Sequence, residues 1–133
     1  MDLRILEIAS NTDNNKIIDN YTHRSKNKNP ICGDEMEISL IVENNKVVDF
    51  GYQCKSCVYC QASVSLLSQN VKNKNLDEVK NFIFTSEKIF EDTKISLEKK
   101  WNVFKELFDK RNKSRKECLL LPIRTVLKAL DIK

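Results

Sequence analysis

The stretch from residue 36 to residue 52 constrains the fold more than any other part of this chain. In 36–42 the apolar side chains fall at every second position, as in a β-strand with one buried face. Asn44 and Asn45 follow, and asparagine tolerates the positive φ angles that a tight two-residue turn requires. Residues 47–52 are again rich in β-branched and aromatic side chains. The pattern predicts a β-hairpin near 36–53 and therefore an antiparallel sheet.

Apolar residues outside the hairpin recur mainly at helical spacing. They predict helical pieces at 3–8, at 17–21, after Cys57, at 75–82, at 97–108 and in a last helix with Pro122 in its first turn. The polar stretch 22–29 predicts a loop, with His23 solvated rather than bound to a metal. The aromatic residues of 97–108 are expected in the core. This order favours an α+β fold with helices packed on one face of a small sheet of two to three strands.

Length, charge and cysteine content narrow the class of protein. A chain of 133 residues predicts a single domain, 1–133. The 23 basic and 19 acidic residues give a net charge of +4 without a basic cluster, so we expect no nucleic-acid partner. No apolar run approaches the ~18 residues of a membrane span, and no secretory signal is evident at the first residues. Five cysteines then predict a cytoplasmic protein with reduced thiols that serve metal or sulfur chemistry.

Three cysteines and one aspartate are placed so that they can meet. Cys32 and Asp34 precede the first hairpin strand, Cys57 follows the second strand, and Cys118 lies at the start of a late helix. The beginning of one strand and the end of its antiparallel neighbour lie at the same edge of a sheet. Cys57 and Cys118 would lie at helix N-termini, whose positive dipole end stabilises a thiolate. Three soft ligands and one hard, more labile ligand suit zinc or a small iron–sulfur cluster.

Two further cysteines, Cys54 and Cys60, flank Cys57 at a spacing of three. The spacing is similar to a bacterial ferredoxin loop, but the fourth cysteine and the proline after it are absent. A dithiol redox pair is a further alternative, although the parallel βαβ context of such pairs is missing. We interpret both cysteines as non-ligands, because free cysteine is often a small buried apolar side chain.

The chain resembles the U-type iron–sulfur cluster assembly scaffold family, which comprises IscU, SufU and the N-terminal domain of NifU. The resemblance rests on the early segment 17–21, the PICGD motif at 30–34, the cysteine and Ser/Ala-rich run at 57–66, the segment 72–78, and the late cysteine with its helix at 115–118. The long stretch between Asp77 and Cys118 and the missing proline-valine-lysine motif are similar to the SufU branch. Ser56 and Glu117 depart from the pattern, since the family has a glycine at the first position and a histidine or basic residue at the second.

This resemblance implies a SufE/NifU-like fold and a function. The expected role is a scaffold that receives persulfide sulfur from a cysteine desulfurase and passes sulfur or cluster to apo iron–sulfur acceptor proteins. Cys32, Cys57 and Cys118 would hold zinc or a [2Fe-2S] cluster, and Asp34 would complete the site as the weak ligand that permits release. Cys118 is the expected persulfide acceptor. The protein is then no independent enzyme, although a zinc-dependent sulfurtransferase-like role beside a desulfurase stays open.

Two other functions remain as alternatives from the residues alone. One is a structural zinc module for protein binding, and the other is a dithiol redox protein that uses Cys54, Cys57 or Cys60. Glu117 is a candidate alternative oxygen ligand. Four basic residues are expected to flank the site and attract an acidic partner, or simply to form a solvated rim: Lys55, Arg115, Lys116 and Arg124. The sequence predicts neither the native metal nor the oligomeric state.

Overall fold

The computed structural model describes residues 3–30, 33–92 and 94–131 of the chain. Its elements are α1 Leu3–Ala9, β1 His23–Lys28, β2 Glu35–Glu43, β3 Lys46–Lys55, α2 Val58–Val71, α3 Leu76–Ile89, two 3₁₀ helices at Lys99–Phe104 and Lys110–Arg115, and α4 Lys116–Asp131. The sheet is antiparallel with the order β1-β2-β3. Helices α2 and α4 pack against it and against each other. The predicted α+β architecture is therefore confirmed.

The hairpin forms as predicted. Asn44 and Asn45 have φ angles of 52° and 63°, the two consecutive positive values of a type I′ turn. Strand β3 contains one bulge, because Ile41 pairs with Asp49 while Val42 pairs with Val47. The bulge turns Val48 outward, where 38% of it is exposed.

The predicted loop at 22–29 was wrong, because most of it forms strand β1. This edge strand pairs with β2 from His23 opposite Leu40 to Lys28 opposite Glu35. Its buried position is taken by Ser25, whose hydroxyl donates to the carbonyl of Thr125 at 2.6 Å. Charged side chains fill most other positions, as is common on edge strands that must not pair with other chains. Because β1 contains no apolar residues, its sequence lacks the alternation of apolar and polar side chains that predicts a strand.

The predicted short helix at 17–21 was also wrong. The backbone nearby is held by the sheet instead, since the Asn14 carbonyl accepts from the Tyr52 N–H at 3.2 Å. Ile18 is buried against Gly51. A Cβ atom on Gly51 would lie 2.7 Å from the carbonyl oxygen of Lys16 and 2.9 Å from Ile18. The glycine is therefore needed for the close approach of this segment.

Gly51→Ala is expected to lower the free energy of unfolding by about 1–3 kcal/mol, the usual cost of overpacking a tight site. The added methyl group must displace the Lys16 backbone or distort β3. Urea unfolding measures the change. Val48→Ala on the same strand is the control, because this exposed side chain should change stability by no more than about 0.5 kcal/mol. Equal stability of the two variants would contradict the close packing at Gly51.

Helix α3 begins as predicted, because the Asn75 side chain accepts from the Glu78 N–H at 2.9 Å. It runs on to Ile89, beyond the expected end at Phe82. The reciprocal half of the capping box is missing, since the Glu78 carboxylate binds Lys100 at 2.9 Å. That contact joins α3 to the segment of the first 3₁₀ helix.

The predicted amphipathic α-helix at 97–108 was wrong in type but right in what it buries. The segment contains the 3₁₀ helix Lys99–Phe104, with non-helical angles at Trp101. The predicted core aromatics are confirmed, because Trp101, Phe104 and Phe108 are at most 5% exposed. Their rings surround Phe82 of α3 at centroid distances of 4.3, 4.7 and 6.3 Å. The spacing of these aromatic residues therefore reflects their burial in the core, which does not require a regular α-helix.

Helix α4 begins six residues before Pro122, so the expectation that this proline lies in the first turn was wrong. Pro122 lacks an N–H and cannot donate to the carbonyl four residues earlier, which belongs to Cys118. The helix is tied to the rest of the fold by two buried hydroxyl groups. Ser63 of α2 donates to the Leu119 carbonyl at 2.6 Å, and Ser25 of β1 donates to that of Thr125.

Candidate metal centre

Cys57 lies where β3 gives way to α2. It is the residue before the first helical one, with extended φ and ψ of −70° and 167°. Its carbonyl accepts the first helical bond, from the Gln61 N–H at 3.0 Å. Its side chain makes no capping hydrogen bond. The sulfur therefore lies at the positive end of the helix dipole and is available for a ligand.

Asp34 is presented by the loop that joins β1 to β2. The Gly33 N–H donates to the Asn29 carbonyl, and the Asn29 N–H donates to the Asp34 carbonyl, both at 2.8 Å. Gly33 has a φ of 78°, a value that glycine adopts without steric cost. These contacts place Asp34 directly before β2, at the edge of the sheet where β3 ends. Cys32, the predicted third thiol ligand, lies outside the described residues, and its role stays a prediction.

Cys118 is the third residue of α4, and its side chain lies in the same group as those of Asp34 and Cys57. The hydrogen bond from Ser63 to Leu119 holds this turn of α4 against α2. Sequence reasoning missed Ser63, although a run of serines inside an otherwise apolar helix was a signal for buried hydroxyl contacts.

Asp34, Cys57 and Cys118 form one group, with one ligand atom of each within 4.8 Å of the others. Ligands of a tetrahedral zinc with Zn–S bonds of about 2.3 Å lie roughly 3.8 Å apart, so small side-chain rotations suffice to close the site. Asp34 and Cys118 are each 8% exposed, and Cys57 is half-buried.

One buried atom of this group has no hydrogen-bond partner in the part of the chain that the structure describes. The Asp34 Oδ2 atom is inaccessible to solvent and unpaired among the described residues. A buried carboxylate oxygen without a partner is costly, by about 1–3 kcal/mol or more for a charged group. A cation between Asp34 and the two sulfurs would satisfy it. The residues present therefore fit a metal ion.

Cys54 and Cys60 lie outside this group. Cys60 is fully buried, and burial raises the pKa of its thiol well above the ordinary value. Burial also raises the pKa of Cys54, and the negative charge of Asp34 adds to this effect. At neutral pH both residues are therefore thiols rather than thiolates. The four described cysteines form no disulfide.

Glu117 lies outside the metal group. Its carboxylate binds the guanidinium of Arg124, which also binds Glu87 of α3. Sequence reasoning had left Glu117 as a candidate ligand and missed this partner, because Glu87 lies 30 residues away on another helix.

The basic residues expected around the site are mostly engaged in intramolecular contacts. Lys116 binds Glu91 at 2.5 Å. The Arg115 guanidinium lies 5.2 Å from the ring centroid of Tyr59, in the first turn of α2. Lys55 is exposed and lines a groove. His23 lies on β1, outside the metal group, with its ring 2.9 Å from the Thr22 hydroxyl.

The fold and the site together define a class: small α+β proteins that bring cysteine thiols and one aspartate to the edge of an antiparallel sheet. The model of the NifU-like N-terminal domain family matches residues 2–101. The chain belongs to this family, a family of iron–sulfur cluster assembly scaffolds rather than classical enzymes. Asp34 and Cys57 lie within the matched residues, and Cys118 lies beyond them.

Curated and solved relatives extend the match to nearly the whole chain. The iron-sulfur cluster assembly scaffold protein IscU of Thermotoga maritima is 29% identical over 126 residues, which cover 95% of this chain and 89% of that protein. A NifU-like N-terminal structure from Brucella abortus superposes with a TM-score of 0.88 at 21% identity, covering 97% of this chain and 90% of the other. A putative SUF-system scaffold, SufU, from Fervidobacterium islandicum gives 0.88 at 22%, covering 98% and 96%.

The solved neighbours support the predicted fold, and the family assignment confirms the resemblance drawn from the motifs. Within the described residues, no helix is both long enough and apolar enough to span a bilayer.

Proposed function

We propose that this protein is a sulfur-accepting scaffold for iron–sulfur cluster assembly. It binds zinc or a [2Fe-2S] cluster through Cys32, Asp34, Cys57 and Cys118. The observation that carries this proposal is the grouping of Asp34, Cys57 and Cys118, in which a buried carboxylate oxygen of Asp34 has no hydrogen-bond partner among the described residues. Family membership supports the same role.

Cys118 is the proposed persulfide acceptor. Its thiolate attacks the outer sulfur of a persulfide on a cysteine desulfurase, so that a new S–S bond forms on Cys118 and the donor S–S bond breaks. The donor cysteine leaves as a thiolate, and no net electrons are transferred. Cys118 is 8% exposed. The sulfur of the more exposed Cys57 lies within 4.8 Å of the Cys118 sulfur, and a persulfide donor would approach Cys118 from this side.

Asp34 is the proposed labile ligand. A carboxylate is a harder donor than a thiolate and binds zinc or ferrous iron less tightly than sulfur does. The site can therefore open at Asp34 while the thiolates keep their hold. A bound zinc would supply charge that keeps the thiolates deprotonated at neutral pH. The likeness to the SufU branch, in the long segment before Cys118, favours zinc in the resting protein.

A groove of about 780 Å³ next to the site is the proposed contact for an acidic part of a desulfurase or an apo acceptor protein. Four lysines line it from β1, α4 and the end of β3, and two glutamates oppose them: Lys26, Lys28, Lys55, Lys128, Glu35 and Glu37. Arg24 and Lys26 already engage Glu37. The remaining positive charge suits an acidic surface.

The two alternatives are less well supported. Closed structural zinc sites use cysteine and histidine almost throughout, and Asp34 does not fit that pattern. A dithiol pair needs an accessible, low-pKa thiol beside Cys57. Burial raises the pKa of both Cys54 and Cys60.

The deciding experiment combines metal analysis with sulfur labelling. Freshly purified protein is assayed for zinc, iron and sulfide, and is then incubated with a cysteine desulfurase and ³⁵S-cysteine. We expect about one metal ion or one [2Fe-2S] cluster per chain and one labelled sulfur that dithiothreitol removes. Protein that holds neither metal nor label, although it is folded by circular dichroism, would overturn the proposal.

Asp34→Ala is expected to slow transfer of a reconstituted cluster to an apo ferredoxin about tenfold, at the lower end of effects seen when groups around a metal are altered. Loss of the oxygen ligand removes the place where the site opens. The transfer rate is followed by the visible absorption of the acceptor. Glu43→Ala is the matched control, because this acid at the other end of β2 is exposed and lies outside both the metal group and the groove. An unchanged rate in Asp34→Ala would contradict the labile-ligand role.

A further inference from the structure

Arg124 joins two carboxylates beside the metal group. Its Nε and Nη2 atoms donate to the two oxygens of Glu87 at 2.7 and 3.0 Å. Its third nitrogen, Nη1, donates to Glu117. The Arg124 side chain is 36% exposed and that of Glu87 33%, so these contacts are partly shielded from water. The bidentate pair fixes the guanidinium on α3, and Glu117 then binds to a cation that is already positioned.

This contact draws the Glu117 side chain in an unusual direction. Residues 117 and 124 are seven apart, two helical turns, and so lie on nearly the same side of α4. The Cα–Cβ bonds of a helix tilt toward its N-terminus, and the helix dipole favours a carboxylate at that end. Glu117 is in the first turn, so both effects direct it toward the N-terminus. Cys118 of the metal group lies at the same end, whereas the Glu117 carboxylate binds Arg124.

We infer that Arg124 is a positioning residue that keeps Glu117 out of the metal ligand set. The inference rests on the proposed metal site and adds to it a device that keeps Asp34 as the carboxylate ligand. Glu117 directly precedes Cys118 and has three rotatable side-chain bonds, so it is a competing oxygen donor. Without Arg124, the negative charge of Glu87 would repel Glu117 toward a bound cation.

The consequence concerns release of the metal or cluster. A second carboxylate would add one negative charge and one hard donor to a site that opens at Asp34. Such a site would bind a divalent cation more tightly and release it less readily. The Arg124–Glu87 pair therefore preserves the lability of the site.

Cobalt(II) is the probe for this inference, because its visible spectrum reports both thiolate ligation and coordination number. In Arg124→Met, the ligand-field bands should lose intensity as Glu117 enters the ligand set, and cobalt affinity should rise about tenfold. The double variant Arg124→Met/Glu117→Gln should regain the wild-type spectrum. Lys116→Met is the matched control, because it breaks an ion pair at the same helix end whose carboxylate, Glu91, does not adjoin a ligand. It should leave the spectrum unchanged.

Glu117→Gln alone gives a second test that does not depend on removing Arg124. This half-exposed position should accept the change without unfolding, and its cobalt spectrum should equal that of the wild type. A changed spectrum in Glu117→Gln, or an unchanged one in a folded Arg124→Met protein, would overturn the inference. If the wild-type protein itself shows no thiolate-to-cobalt charge transfer, the proposed metal site is wrong instead.

Discussion

Cys118→Ser is expected to abolish labelling by ³⁵S-cysteine and desulfurase and to weaken zinc binding roughly 100-fold. Structural zinc sites bind with about 10–16 kcal/mol through four ligands, so one ligand contributes about 3 kcal/mol. That energy corresponds to about a hundredfold change in affinity. The hydroxyl of serine is not deprotonated at neutral pH and replaces neither the nucleophile nor the ligand. Label retention and competition with a zinc chelator measure the two effects separately.

Cys54→Ser is the matched control for this prediction. Cys54 is a half-buried thiol of the same sheet edge and lies outside the metal group. Its replacement should leave both label and zinc affinity unchanged. If Cys54→Ser lost the label while Cys118→Ser retained it, the acceptor would be the cysteine cluster at 54–60, and the dithiol alternative would regain support.

The position of the site followed from topology rather than from local spacing. Asp34 and Cys57 are 23 residues apart, yet an antiparallel hairpin necessarily brings the start of β2 and the end of β3 together. Only the docking of α4, which carries Cys118, did not follow from this topology and is known from the structure. The orientation of Glu117 was not predictable in the same way. It depends on Arg124 two turns away and on Glu87 from a different helix, and such three-residue contacts leave no periodic signal.

The fold was predictable wherever burial produced an apolar period. The hairpin combined alternation with a turn that only a few residue types adopt, so its position and register followed. Strand β1 was not predicted, because its buried position is occupied by a polar residue. Ser25 fills that position, and its hydroxyl donates to the carbonyl of Thr125. The conformation of the segment 17–21 was mispredicted for a related reason. Its apolar residues suggested a helix, but the neighbouring backbone bonds the edge of β3, as the Asn14–Tyr52 contact indicates.

The segment after α3 shows how one apolar pattern fits different backbones. Leu97, Trp101, Phe104 and Phe108 recur at spacings of four, three and four, which a helix would place on one face. A 3₁₀ helix followed by turns buries the same side chains. The periodicity therefore identified the core correctly and the local hydrogen bonding incorrectly. The rings gather around Phe82, which is 2% exposed.

Phe82→Ala is expected to lower the free energy of unfolding by about 3–5 kcal/mol, the typical cost of removing a buried aromatic ring. The cavity would lie between α3 and the segment 97–108, where Phe82 stacks on Trp101 at 4.3 Å and contacts Phe104 at 4.7 Å. Tryptophan fluorescence during urea unfolding reports the change directly, because Trp101 is the one tryptophan of the chain.

Phe84→Ala on the same helix is the matched control. Phe84 is 54% exposed, and its loss should change stability by no more than about 0.5 kcal/mol. If both variants unfolded at the same urea concentration, the segment 97–108 would not be anchored by this cluster. The metal group should survive Phe82→Ala in the folded protein, because Asp34, Cys57 and Cys118 are held by the sheet, α2 and α4 rather than by α3.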